Sequence, residues 1–220
     1  MAFPIEYATE ADAPALAHVN ILSFQTRGLL FEVFPDASQA RLMDYKAVYA
    51  MKHFANPQTH VLKLNDPTSG ELIGYGRWHI PESLAGHSLP ALSEQNQEAA
   101  RDPTVFAPRP MNEALYTAFR ELLEGARKRH TTEQDMMLDL LATLPSHQGR
   151  GYGTAMLRWG MSKADAWQRR IYLEATAAGY PLYLKLGWKP VEEISLDFTQ
   201  YGAKGLDTFV IMIRDPVPNQ

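Results

Sequence analysis

The chain has 220 residues, no cysteine and a formal net charge of -4, with 45% hydrophobic and 21% charged residues. This is ordinary globular usage in a chain long enough to bury its own core, and it excludes disulfides, thiolate metal ligands and a cysteine nucleophile. Lysine and arginine are scattered apart from residues 127–130, RKRH, so no basic stripe marks a nucleic-acid binder. No apolar run approaches the roughly 20 residues that span a bilayer, and the start, MAFPIEYATEADAP, has no cationic segment leading into an apolar one. The expectation is one cytoplasmic domain over 1–220, with no membrane and no nucleic acid as partner.

Phe3 to Ala8 alternates like a strand, and residues 9–24 follow with helical spacing at Leu16, Val19 and Leu22. Either Thr9 or Asp12 caps that helix; Asp12 would place Pro14 in the first turn, where its missing N–H matters least. Residues 38–54 form a second helix with a broad apolar face of Leu42, Tyr45, Val48, Tyr49 and Met51. His60–Asn65 and Glu71–Ile80 read as a hairpin around DPTSG. Residues 81–111 carry five prolines and no sustained period, which marks a long insertion.

Helical spacing returns at 112–130 through Leu115, Phe119, Leu122 and Leu123, with Asn112 as cap and cations at the far end. Residues 136–144, MMLDLLATL, are an apolar run too short for a typical helix and closed by Pro145, hence a buried strand. A helix over 151–168 puts Met156, Gly160, Ala164 and Trp167 on one flank, where Trp159 and Trp167 serve as core contacts. A strand at 170–176, a short helix at 178–187 and two closing strands, 188–198 and 207–214, complete a mixed α/β or α+β sheet.

The segment SHQGRGYGTAML, 146–157, joins strand to helix through Gly149, Gly151 and Gly153. Unpaired N–H groups at the positive end of a helix dipole attract phosphate, and glycine admits positive φ and close approach. A Walker loop fails here, because no Lys-Ser/Thr follows the last glycine, and a dinucleotide fingerprint fails because Thr154 stands at its third glycine.

The pattern Gln148-x-x-Gly151-x-Gly153 resembles the acyl-CoA motif of the GNAT N-acetyltransferase superfamily, and LYLKLGW, 182–188, is similar to that superfamily's FYEKLGF segment. The two matches lie in family order and span 136–190. The resemblance implies an α+β fold with a mixed, mostly antiparallel sheet of about seven strands flanked by helices and a splayed strand pair at the acyl-CoA site. It implies acetyl-CoA as co-substrate, with Leu141, Ala142 and Thr143 pairing with the pantetheine arm. Gln148, Gly149, Arg150, Gly151, Tyr152, Gly153 and Thr154 would hold the pyrophosphate, with Arg158 either a further cation or an exposed helix residue.

By the same resemblance Tyr183 protonates the departing thiolate, where the bland role is a packed aromatic. Asp139, in the place of the catalytic glutamate of histone-type members, takes the amine proton unless it faces outward onto an arginine; Glu174 or a water chain are the substitutes. Many relatives carry a cofactor-contacting asparagine where this chain has Thr176, which by the same resemblance supplies a weaker polar contact to the cofactor or none. The histidines form no recognisable metal spacing, so no metal is expected. The function implied is direct acetyl transfer to the primary amine of a small molecule. A non-catalytic acyl-CoA-binding protein and a peptide-amine acetyltransferase stand as alternatives, and monomer or homodimer is left open. Residues 81–115, the helix over 10–25 and the connection after it are expected to shape the acceptor pocket.

Overall fold

The computed structural model describes residues 3–24, 28–85 and 89–218. In chain order the elements are β1 (Ile5–Tyr7), α1 (Ala13–Phe24), α2 (Leu29–Val33), α3 (Gln39–Phe54), β2 (Thr59–Asn65), β3 (Leu72–His79), α4 (Glu82–Ala85) and α5 (Glu94–Arg101). They continue with α6 (Glu113–His130), β4 (Met136–Thr143), α7 (Tyr152–Trp167), β5 (Ile171–Ala175), α8 (Tyr180–Lys185), β6 (Lys189–Asp197) and β7 (Leu206–Arg214). The strands form a seven-stranded sheet in the order β1-β2-β3-β4-β5-β7-β6. β1–β2, β2–β3, β5–β7 and β6–β7 pair antiparallel, and β4–β5 pair parallel. This is the expected mixed, mostly antiparallel sheet flanked by helices. No described helix is long and apolar enough to cross a membrane.

The residues gather into two compact units, 1–26 with 37–108 and 139–160, and 27–36 with 109–138 and 161–220. In the first, the entry to α1 uses Thr9 and Asp12 together: the Asp12 carboxylate accepts from the Thr9 N–H (2.8 Å) and hydroxyl (3.2 Å), and from Lys63 Nζ at 2.9 Å. The β2–β3 hairpin turns where Asp66 Oδ1 accepts from the Thr68 and Ser69 N–H groups and Gly70 takes φ +74°. Ser38 caps α3 by accepting from the Arg41 N–H, and Leu42, Tyr45, Met51 and Phe54 are its buried face. Gly74 lets β3 approach β4, since a Cβ there would lie 3.1 Å from the Ala142 carbonyl oxygen.

Residues 81–111 hold more structure than their sequence suggests. Ser93 starts α5, and the Glu10 carboxylate accepts from the Ser93 N–H (2.9 Å), the Ser93 hydroxyl (3.2 Å) and Asn96 Nδ2 (3.0 Å). That anchor replaces the apolar stripe that a polar helix lacks.

In the second unit Asn112 caps α6 by accepting from the Leu115 N–H at 3.1 Å. The α6 face of Phe119, Leu122, Leu123 and Ala126 packs on Tyr172, Ile194, Phe209 and Ile211. Arg127 donates to both Glu174 oxygens, Nε to Oε1 at 2.6 Å and Nη2 to Oε2 at 3.0 Å, and the Tyr172 hydroxyl donates to Oε1 at 3.0 Å. The Glu174 side chain is only 6% exposed. Glu174→Gln, which leaves Arg127 facing a neutral amide in a partly buried site, is expected to cost about 2 kcal/mol, read as a lowered urea midpoint at unchanged slope.

Candidate active site

β4 leaves the sheet at Thr143, passes a turn at Pro145–His147 and feeds Tyr152, where α7 begins. Gly149 and Gly151 have φ +75° and +89°, in the left-handed region that only glycine enters at no steric cost. The first helical bond runs from the Ala155 N–H to the Gly151 carbonyl at 3.0 Å. From Gly149 to Thr154 the backbone N–H groups have no acceptor among the described residues. They stand at the positive end of a 16-residue helix. A Cβ on Gly149 would meet nothing within 4 Å, so its glycine serves the backbone turn and the space in front of it. Unpaired amides on an open face fit a diphosphate.

The side chains around this loop divide by role. Tyr152 is buried against Phe3, ring centroids 4.5 Å apart, and anchors the loop from below. Gln148 turns back, its Nε2 donating to the Thr143 carbonyl at 3.0 Å, where the Ser23 hydroxyl also donates at 2.9 Å. Arg150 and Arg158 are exposed. The parallel β4–β5 register covers Met136↔Ile171 to Leu138↔Leu173, while β4 runs on to Thr143. Leu141, Ala142 and Thr143 lie beyond the Leu138↔Leu173 pair.

Tyr183 sits on α8, itself launched from Thr176, whose carbonyl accepts from the Gly179 N–H (3.0 Å) and Tyr180 N–H (2.9 Å). Thr176 thus builds the turn before α8. The Tyr183 ring packs on Trp188, centroids 5.9 Å apart, and over Gly179, where a Cβ would lie 2.8 Å from Tyr183 Cε2. Burial pushes the Tyr183 phenol up to about 12, and its hydroxyl has no hydrogen-bond partner among the described residues.

The two candidate bases are both ion-paired. Asp139 Oδ2 accepts from Arg77 Nε at 2.6 Å, the arginine contact weighed against the base role. Glu174 has both oxygens engaged by Arg127, which makes it a structural residue of its unit.

Residues 115–190 match the family model described as an acetyltransferase (GNAT) domain, a stretch that holds β4, the glycine loop, α7 and Tyr183. An "Acetyltransferase" of Stachybotrys chartarum is 21% identical over 197 residues, 86% of this chain and 82% of its own length. The family model, this relative and the fold together support the GNAT acetyltransferase superfamily. Solved structures share the GNAT fold over nearly the whole length. One, described as histone acetyltransferase HPA2 and related acetyltransferase from Corynebacterium glutamicum, has a TM-score of 0.62 at 21% identity, covering 100% of this chain and 99% of that one. Another, an N-acetyltransferase of Staphylococcus aureus, has a TM-score of 0.57 at 14% identity, covering 96% and 99%.

Against this GNAT frame, one site has no counterpart in the sequence reading. In the first unit a cavity of about 80 Å³ is lined by Asn20 of α1, Lys46 and His53 of α3, Tyr75 and Arg77 of β3, and Leu140 of β4. Leu89, Pro90, Leu92, Gln97 and Arg101 line a separate, open groove. Burial, then the Arg77 guanidinium, push Lys46 down to about 8, and burial holds His53 well below its ordinary value, hence neutral. Asn20, Lys46 and Arg77 come from three separate elements, each with other polar residues, so no local pattern singles them out. Among the described residues no group of three or more His, Asp or Glu could hold a metal ion.

Proposed function

We propose that this acetyltransferase is an acetyl-CoA-dependent N-acetyltransferase that transfers the acetyl group directly to the primary amine of a small molecule. The observation that supports it most is the row of unpaired N–H groups from Gly149 to Thr154 at the start of α7, after two left-handed glycines. Acetyl-CoA supplies a thioester, whose carbonyl carbon an unprotonated amine can attack. In this reading the loop amides hold the diphosphate, with Arg150 as a nearby cation, and the backbone of Leu141–Thr143 binds the pantetheine arm and polarises the thioester carbonyl. Tyr183 keeps its proton at neutral pH, because burial has pushed its phenol to about 12, and it delivers that proton to the thiolate. The amine gives its proton to water, the substitute for Asp139, whose Oδ2 is occupied by Arg77 Nε at 2.6 Å.

The test separates binding from chemistry. Acetyl-CoA is expected to raise the thermal midpoint of the intact chain, since a ligand confined to the folded state stabilises it by mass action. Gly149→Val fills the space before the amides and forces a branched side chain to φ +75°. It is expected to weaken acetyl-CoA at least about ten-fold in calorimetry, for about 1–2 kcal/mol of stability. Acetyl transfer is then read by mass spectrometry over an amine panel. Uptake of acetyl-CoA with no transfer to any amine would make the chain a binding protein instead, and preferred transfer to peptides would move the acceptor class.

A further inference from the structure

We infer that the cavity framed by α1, α3 and β2–β4 in the first unit is the acceptor subsite and receives the carboxylate of a small amino acid, with Lys46 as its counter-ion. The amine half of this inference rests on the transferase reading above; the carboxylate half rests on the cavity itself. The charges in its wall do not balance. Arg77 is matched by Asp139 through the 2.6 Å contact. His53, desolvated beside Arg77 and Lys46, carries no proton near neutrality. Lys46 makes no hydrogen bond or ion pair with any described residue, so the cavity is left with one uncompensated cation.

Lys46 is half-buried in the cavity wall and forms no ion pair with a carboxylate of any described residue. A cation in a cavity wall without a carboxylate of its own is a place where an anion gains a charge-assisted contact. A cationic group meets Lys46 and Arg77 head-on, which disfavours polyamines and lysine side chains.

A second donor points the same way. Asn20 Nδ2 donates to the Tyr75 oxygen at 3.1 Å, which occupies a lone pair of the phenol and leaves its O–H to donate elsewhere. Burial raises the Tyr75 pKa, so the phenol keeps that proton. Lys46 and Tyr75 both line the cavity and both offer hydrogens, the requirement for the two oxygens of one carboxylate.

Size and position narrow the class. A cavity of about 80 Å³ has room for a handful of water-sized groups, a carboxylate with a few carbons rather than a peptide. The remaining wall, with Leu16, Phe54 and Val61, suits a short aliphatic chain. Leu140 lines the cavity, and the next residue of the strand, Leu141, opens the segment assigned to the pantetheine arm. A carboxylate held at Lys46 would therefore present its amine along β4 toward the acyl donor.

Matched amines with and without the carboxylate test this on the full chain: glycine against methylamine, β-alanine against ethylamine, and 4-aminobutyrate against propylamine. Binding is measured by calorimetry with CoA, which cannot transfer, and turnover with acetyl-CoA by mass spectrometry. At least one acid is expected to bind about ten-fold or more tighter than its partner amine. Lys46→Met is expected to abolish that preference and raise KM for the acid, Lys46→Arg to keep part of it, and both to leave acetyl-CoA affinity unchanged. Because Lys46→Met takes away no hydrogen bond or ion pair among the described residues, its thermal midpoint should stay near that of the parent, so loss of binding will not reflect unfolding. Equal binding within every pair, no binding by any acid, or a preference that survives Lys46→Met overturns the inference. Tight acid binding with no acetyl transfer would instead sink the transferase reading and leave the carboxylate site standing.

Discussion

Gly160→Ala is expected to destabilise the first unit by about 3 kcal/mol, although alanine is favoured over glycine in a helix interior by about 1 kcal/mol. The reason is the seat of α7 on Trp78. A Cβ built on Gly160 collides with Trp78 Cη2 and Cζ2 and lies 2.6 Å from Cζ3, closer than non-bonded carbons approach. The indole cannot retreat, since Trp78 is 0% exposed and its ring neighbours Trp159 at 6.3 Å. Either the helix lifts or the ring leaves its well, and both undo close packing. On an open helix face the same change would stabilise, so the sign of the effect reports the contact. Trp78→Phe trims the ring and also removes an indole N–H that is buried with no partner among the described residues. The two changes together are then expected to cost at least about 1 kcal/mol less than the sum of each alone. A Gly160→Ala chain as stable as the parent in urea would mean that α7 does not rest on this ring.

How much of this was legible depended on how local the cause was. The β4–loop–α7 unit was readable because its signals lie within a few residues of one another: an apolar run, Pro145, glycines that must take positive φ, then helical spacing. The hairpin at Asp66–Gly70 and the Asn112 cap were readable for the same reason. α5 was not, because EQNQEAAR has no apolar stripe and its anchor, Glu10, comes from the other end of the unit. The insertion of β7 between β5 and β6 follows from sheet pairing that no local pattern encodes. In the candidate site, the backbone donors were foreseen and the cavity was not. Asn20, Lys46 and Arg77 come from three separate elements, and only tertiary packing brings them to one wall. Gln148, expected at the pyrophosphate, has its side chain on the Thr143 carbonyl, a contact that a motif cannot show.

Tyr183→Phe is expected to lower kcat by about 100-fold or more at neutral pH, while leaving acetyl-CoA affinity and stability near those of the parent. Stability should hold because the ring keeps its packing on Trp188 and the hydroxyl gives up no hydrogen bond among the described residues. The loss should shrink as pH rises, since a thiol of ordinary pKa near 8.5 leaves more readily unassisted where its thiolate is stable. A phenol pushed to about 12 stays protonated through that range, so no falling limb from Tyr183 itself should appear below about pH 10. Gly179→Ala probes the same proton from a distance. Its Cβ would press 2.8 Å from Tyr183 Cε2 and turn the ring, while Gly179 itself has φ -84°, which alanine tolerates. It should therefore lower kcat more than it lowers the thermal midpoint. In a chain that already carries Tyr183→Phe, Gly179→Ala should cost little further rate, because the group it displaces no longer holds a proton to deliver. Equal losses in both backgrounds would make Gly179 a matter of folding alone, and an unchanged kcat for Tyr183→Phe would hand the leaving thiolate to solvent.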